Sequence, residues 1–463
     1  MNRKAPVSGT LSICMIVKNE AALLGRCLES VCGAADQIVV ADTGSTDSTV
    51  EIAKKFGACV VEAPWRNDFA WARNESLKHA SGAWILWLDA DDIVPVSSIP
   101  LLNDLKKKKT DRVYAFIVKN ERPGDTGSEF IQARMFPNRP EIRFERRIHE
   151  QMMPSAIRAG LKMEQFPLVI EHHGYADPAT LRKKAGRNIE LMLQDYDHSH
   201  PDPVTAVEIA DSYFLVDDLE KSQEWYEHLL SIKKIVSDSP ALAGQAYMGL
   251  GNIFNKRERY NEAVEALEKA SGLSPWRPDI LYSMAVAREL GGDRRGAIAA
   301  LNSILALQPQ PGMVGVDFRS SAVKAIIRLV RLLLETGECT QAEILIRNVE
   351  KEYGNRPEVR NAGGKVFLRN NHLMDALHEF EESLKLRVEG NVDAYIGLCL
   401  IYRKAGYTQR VVETVCAVEK IFENNKRFGA FRYLIDNQGN PLHSDPAVQT
   451  EIEFLRKEYP GLI

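Results

Sequence analysis

The chain of 463 residues has no long apolar run, and nothing in it approaches the roughly 18 residues needed to cross a bilayer. Cysteine is scarce and scattered: seven residues (Cys14, Cys27, Cys32, Cys59, Cys339, Cys399, Cys416), with no C-x-x-C pair. An odd, dispersed set argues against a disulfide framework or a structural zinc site and suits free thiols in a reducing cytoplasm. Neither charge is in excess, since 59 Lys and Arg face 63 Asp and Glu for a net of −4. That balance argues against a general nucleic-acid binder. Glycine (30) and proline (21) are too sparse for a low-complexity or collagenous chain. The first apolar stretch, Leu11 to Val17, is short and contains Ser12, so it reads as a buried strand and not a signal peptide.

What is present divides into two rhythms. Up to about residue 175, short apolar runs (residues 11–17, 37–41, 58–62, 84–88 and 113–118) alternate with amphipathic stretches such as Ala21–Val31 and Ser48–Phe56. Continuous strands separated by helices predict a mainly parallel sheet covered on both faces. Ligands of such sheets bind beyond the carboxyl ends of the strands, which directs attention to the residues after Val17, Ala41 and Leu88. The sharpest motif stands at the last of these, Asp89-Ala90-Asp91-Asp92. Two carboxylates one residue apart can share a hard divalent cation that also grips phosphate oxygens. The turn Gly44 to Thr49 satisfies the pattern of a helix N-cap as well as that of a ligand loop.

Residues 12–31, 38–57 and 69–92, taken together and in this order, closely resemble the family 2 glycosyltransferases of the GT-A fold, over roughly residues 8–175. The resemblance implies an α/β, Rossmann-like domain in which Asn19, Glu20, Asp42, Ser45 and Asp47 hold the nucleotide. It sets Arg73 and Asn74 near ribose and pyrophosphate. Asp89 would contact ribose or metal, and Asp91 would be the principal metal ligand. Segment 130–152 resembles the acceptor side of the branch that modifies lipopolysaccharide cores and peptides, through Arg134–Phe136, Arg143–Phe144 and His149–Glu150. Glu150 is the candidate general base; the E-D pair more usual in the family is absent, and a structural ion pair is the alternative for it. Segment 134–147 carries five arginines against two glutamates, enough to balance a diphosphate or to solvate a strand pair. In His172-His173-Gly174-Tyr175, the resemblance makes His172 the third metal ligand, with His173 the fallback. Mn²⁺ or Mg²⁺ is the implied cofactor and a UDP-sugar the implied donor.

From about residue 204 a period of 34 residues takes over: Ala263, Leu267 and Pro275 recur as Ala297, Leu301 and Pro309, and Ala342 as Ala376. Segment 244–275 has its small and large residues where a tetratricopeptide repeat places them, and about six units fit between 204 and 425. Such units bury their apolar faces only by stacking, which predicts an all-α solenoid. The expected organisation is a GT-A domain at 1–175, a helical connector at 176–203 in which His198 and His200 are solvated, and repeats with a cap at 204–463. A GT-A domain ahead of such repeats resembles the bacteriocin S-glycosyltransferases, which implies a peptide or protein acceptor and a homodimer through the repeats. A cell-surface glycan or lipopolysaccharide-core acceptor is the alternative. A repeat scaffold with a vestigial nucleotide domain is the reading from another class. Segment 426–463 reads as a cap on the solenoid.

Overall fold

Period-two alternation sorts the strand residues onto two faces. In β1 (Val7–Val17), Leu11, Ile13, Met15 and Val17 enter one apolar core and Cys14 the other; in β4 (Gly82–Trp87), Trp84 and Leu86 part from Ile85 and Trp87 in the same way. Both faces are buried, which is why these strands read as unbroken apolar runs. The computed structural model describes residues 6–120, 129–174, 178–308, 317–436 and 445–459. Tyr175, Pro309, the boundary at 175–176 and the stretch 437–444 lie outside the described residues.

Six further strands complete one mixed sheet: β2 (Gln37–Asp42), β3 (Cys59–Glu62), β5 (Asp92–Ile93), β6 (Arg112–Asn120), β7 (Glu129–Pro137) and β8 (Lys162–His172), in the order β3-β2-β1-β4-β7-β6-β8-β5. The half β3-β2-β1-β4 is parallel throughout, β7 runs against β4 and β6, and β8 is parallel to β6. Helices α1 (Leu24–Val31), α2 (Thr49–Lys55) and α4 (Ile99–Leu105) cover one face; α3 (Phe69–Lys78) and α5 (Met153–Arg158) cover the other. The register sets Val17 beside Asp42 and Cys14 beside Trp87. The carboxyl ends of β1, β2 and β4 therefore share one edge of the sheet.

Beyond the sheet the described chain is helical. Helix α6 (Pro178–Asp195) buries Ala185, Ile189, Leu191 and Met192, and α7 (Pro203–Leu215) buries Ile209 and Tyr213 in the same cluster as Ile148 of the sheet domain. Among the described residues six more helix pairs follow α7 and its partner α8 (Leu219–Ser231), the first at Pro240–Lys256 and Tyr260–Leu273 and the last at Lys426–Asp436 and Pro446–Glu458. Ala263, Ala297, Ala342 and Ala376, the phased alanines, are all fully buried. Helix approach is close enough that a Cβ on Gly251 would stand 2.5 Å from Leu267 Cγ, so these contacts require glycine. By packing, the described residues up to Ile280, with 308 and 317–320, form one compact unit, and 281–307 with those from Ser321 onward form a second. Among the described residues no helix is long and apolar enough to cross a membrane.

Candidate active site

The edge shared by β1, β2 and β4 carries a continuous set of polar contacts. Asn19, two residues past the end of β1, has left-handed backbone (φ 56°); its N–H donates to Ser45 Oγ at 2.9 Å, and its Oδ1 accepts from the N–H of Thr46 at 2.7 Å. The N–H of Glu20 donates to Thr49 Oγ1 (2.8 Å), and Asp47 accepts from the N–H groups of Ala21 (3.2 Å) and Thr49 (3.0 Å). The loops after β1 and β2 are thus tied together by the residues expected to face a nucleotide. Asp42, buried at the end of β2, accepts from the N–H groups of Gly44 and Ser45, each at 3.1 Å. Capping of α2 falls to Asp47, and its bonds to Thr49 hold that carboxyl below its usual range. Burial, with Asp91 nearby, raises Glu20.

Trp87 closes β4 between two guanidiniums, with Arg134 of β7 at 3.9 Å from its ring centroid and Arg73 of α3 at 4.3 Å. Arg73 is buried: Nη2 donates to Asp89 Oδ1 (2.8 Å) and Nε to Glu150 Oε1 (2.6 Å). Its Nη1 is buried without a hydrogen-bond partner among the described residues. Burial would favour a neutral Arg73, but Asp89 and Glu150 outweigh it and raise the group further. Asn74, next on α3, spends its side-chain amide on both backbone groups of Phe144, donating to the carbonyl and accepting from the N–H at 2.9 Å each. It fixes the segment that leads to Glu150.

The four-residue acidic turn splits into distinct environments. Asp89 is held by Arg73, with Arg134 at 3.8 Å; against the upward push of burial these cations keep its carboxyl well below the usual range. Asp92 is fully buried in the two-residue strand β5, whose pairing with β8 sets it opposite His172. Its Oδ2 accepts from Arg134 Nη1 (2.9 Å) and from the N–H of Asp89 (2.8 Å), and its Oδ1 lies 2.9 Å from His172 Nδ1. Asp91 is half-buried, its Oδ1 3.4 Å from His172 Nδ1. Burial and the charges of Asp89 and Asp92 raise Asp91 despite His172; His172 is raised because these carboxylates outweigh its burial. His173 turns to Glu171 instead, at 3.6 Å.

Ligand atoms of Asp91, Asp92 and His172 lie within 4.8 Å of one another, and the described residues contain no other such cluster. An imidazole whose Nδ1–H is taken by a carboxylate presents Nε2 to a ligand. Gly174 leaves room for one: a Cβ there would stand 2.5 Å from Asp91 Oδ2 and 2.6 Å from His172 Nε2. Oxygen donors with one imidazole around such a gap suit Mn²⁺ or Mg²⁺.

Residues 12–163 match the family model for glycosyl transferase family 2, and 244–275 that for a tetratricopeptide repeat. Residues 12–163 are a family 2 glycosyltransferase domain. Among curated relatives, a tetratricopeptide-repeat-containing protein of Synechococcus elongatus is 31% identical over 222 residues, covering 46% of this chain and 55% of that one. The prophage-derived glycosyltransferase SunS of Bacillus subtilis is 31% identical over 198 residues, covering 39% of this chain and 44% of its own. An uncharacterized glycosyltransferase of Rickettsia bellii is 35% identical over 112 residues, covering 24% and 34%. This chain thus spans about half the length of the first two relatives it matches. The pilus biogenesis factor PilW, with 14% identity and a TM-score of 0.38, aligns over 54% of this chain and 97% of its own, a likeness too slight to bear on function.

Three residues stand beside the predicted ones that sequence reasoning did not assign. Asp92 was within the acidic motif, but its burial depends on a strand of two residues. Arg134 was read as part of a match to Phe136, and only the pairing of β7 with β4 brings it to Trp87. Gly174 lay inside the His-x-Gly-Tyr pattern, where a glycine beside a candidate ligand was the available signal.

Proposed function

We propose that the chain is an inverting glycosyltransferase that moves a sugar from a UDP-sugar to a peptide or protein acceptor and depends on a divalent cation. The observation that carries this reading is the opening at Gly174, flanked by Asp91 Oδ2 and His172 Nε2 on the ligand-binding edge of the sheet. Asp91 and His172, with Asp89 beside them, would hold Mn²⁺ or Mg²⁺, whose charge offsets that developing on the departing diphosphate. Asp92 orients His172 from behind. Arg73, with one buried N–H to spare, offers a further donor to the phosphates while fixing Asp89 and Glu150.

Asn19, Glu20, Asp42, Ser45 and Asp47 form the nucleotide side of the site, with Asp42 the acceptor for a uracil or ribose donor. Glu150 takes the proton of the acceptor nucleophile as that atom attacks the anomeric carbon and the bond to the diphosphate breaks. One in-line displacement inverts the anomeric centre. The peptide acceptor rests on the repeats, whose stacked helices present an extended surface, and on the likeness to bacteriocin S-glycosyltransferases. The scattered cysteines of the sequence, with no C-x-x-C pair, support a cytoplasmic site of action. Incubating the chain with UDP-sugars, Mn²⁺ and a peptide library tests the reading: a peptide gains the mass of one sugar in inverted configuration. Modification of a lipopolysaccharide core alone, with no peptide modified, would give the acceptor to a glycan instead.

A further inference from the structure

The segment ahead of Glu150 is built in an unusual way. Arg146 and His149 both have left-handed backbone (φ 75° and 50°), a conformation that is strained outside glycine. Such backbone persists only where its surroundings hold it, and here the holders come from the helical region. Arg146 Nη2 donates to Thr205 Oγ1 at 2.7 Å and pairs with Glu208 Oε2 at 2.8 Å on α7, with Asp202 at the helix cap 3.5 Å away. Arg147 pairs with Asp195 at the end of α6 (3.2 Å), while its carbonyl accepts from the N–H of Phe69, the first residue of α3 (2.8 Å). Between them Ile148 is buried against Ile189, Met192, Ile209 and Tyr213. Glu208 is 18% exposed and also lies 3.9 Å from His149 Nδ1.

We propose that Glu208 is a positioning residue for Glu150: through Arg146 it holds the left-handed turn that aims the Glu150 carboxylate, which makes α6 and α7 a wall of the transfer site. The role rests on the functional reading above, in which Glu150 is the base. Two backbone hydrogen bonds between Glu145 and Gln151 (3.0 and 3.1 Å) close the base of this turn, and α6 and α7 hold its two left-handed residues, Arg146 and His149. Arg73 fixes one oxygen of Glu150 from the sheet side, and the α7 latch fixes the backbone from the other. Burial pushes the Glu208 carboxyl up to about 7 against the pull of Arg146, with Asp202 and Asp211 adding to the rise, so the ion pair forms its full charge only as pH passes neutrality.

The test compares full-length wild type with Glu208→Ala, Glu208→Asp and Arg146→Ala. A base displaced by about an ångström loses one to two orders of magnitude in turnover. Glu208→Ala and Arg146→Ala are therefore expected to lower kcat roughly tenfold to a hundredfold while KM for the nucleotide sugar stays within about twofold, and Glu208→Asp to recover part of kcat. Unchanged kcat, or equal losses in kcat and donor binding, would overturn the role. Hydrogen exchange reads the latch without any turnover: Glu208→Ala should speed exchange across 145–151 and leave β1, β2 and β4 protected. Unaltered exchange there would overturn it even if no donor is ever found, whereas a wild type that turns over no sugar, with Glu208→Ala still loosened at 145–151, would sink only the functional reading.

Discussion

At the scale of single residues, the site turns on where four neighbouring positions send their side chains. The acidic motif and the histidine were legible in the sequence because a D-x-D after a buried strand and an H-x-G-Y after the last one are local patterns. The division of labour among them was not. Asp92 is as acidic as Asp89 and Asp91, and its burial against Arg134 follows from a pairing of β5 with β8 across 80 positions of sequence. Gly174 supplies the sharpest test of the opening. Gly174→Ala puts a methyl group within 2.6 Å of both Asp91 Oδ2 and His172 Nε2. Thermal stabilisation by UDP with Mn²⁺ should disappear in that variant while the melting point without ligands stays within a few degrees of wild type. Retained stabilisation would mean that the cation binds elsewhere.

Among secondary-structure elements, legibility followed length. The apolar runs at 37–41 and 84–88 correspond to β2 and β4, and Ala21–Val31 to α1, because each repeats its pattern often enough to be read. Strand β5 has two residues and no period at all. Helix α6 reads as polar, since Arg182, Lys183, Lys184 and Arg187 dominate its first turns, yet Ala185, Ile189 and Met192 are buried. A stripe that narrow is visible only once its partner is known. In the repeats the phased small residues carry the packing. Phe380 is enclosed by Gly364 and Gly397, and a Cβ on Gly364 would meet its ring at 2.6 Å. Gly364→Ala should cost about 1–3 kcal/mol by overpacking, read as a lower denaturation midpoint at unchanged m-value.

Glu208 on α7 adds a pH signature at this scale. Its carboxyl, raised by burial to about 7, exceeds the unfolded value near 4.3, so the folded chain binds this proton more tightly. The resulting stability is complete below about pH 4 and is lost as pH rises through about 7. Glu208→Gln removes that contribution to the slope. Melting points taken between pH 5 and 8 should therefore fall less with rising pH in the variant than in wild type; parallel curves would show that Glu208 titrates normally.

For the molecule as a whole, the change of rhythm near residue 200 was plain, because a 34-residue period cannot be confused with a strand alternation. The packing unit that contains the sheet nevertheless runs on to Ile280. Composition and period describe segments; which segments share a core depends on contacts such as Ile148 with Met192 and Ile209, and no local pattern announces those. The three-part organisation into 1–175, 176–203 and 204–463 stays a proposal about the segments, with α6 and α7 packed on the glycosyltransferase domain. The central claim is that this edge of the sheet transfers sugar from a nucleotide. It is tested most directly by nucleotide release from a panel of UDP-sugars with Mn²⁺, comparing wild type with Asp91→Ala. Slow release from one sugar by wild type, falling to background in the folded variant, is the predicted result. Equal release by both, or release that persists without a divalent cation, would contradict the account.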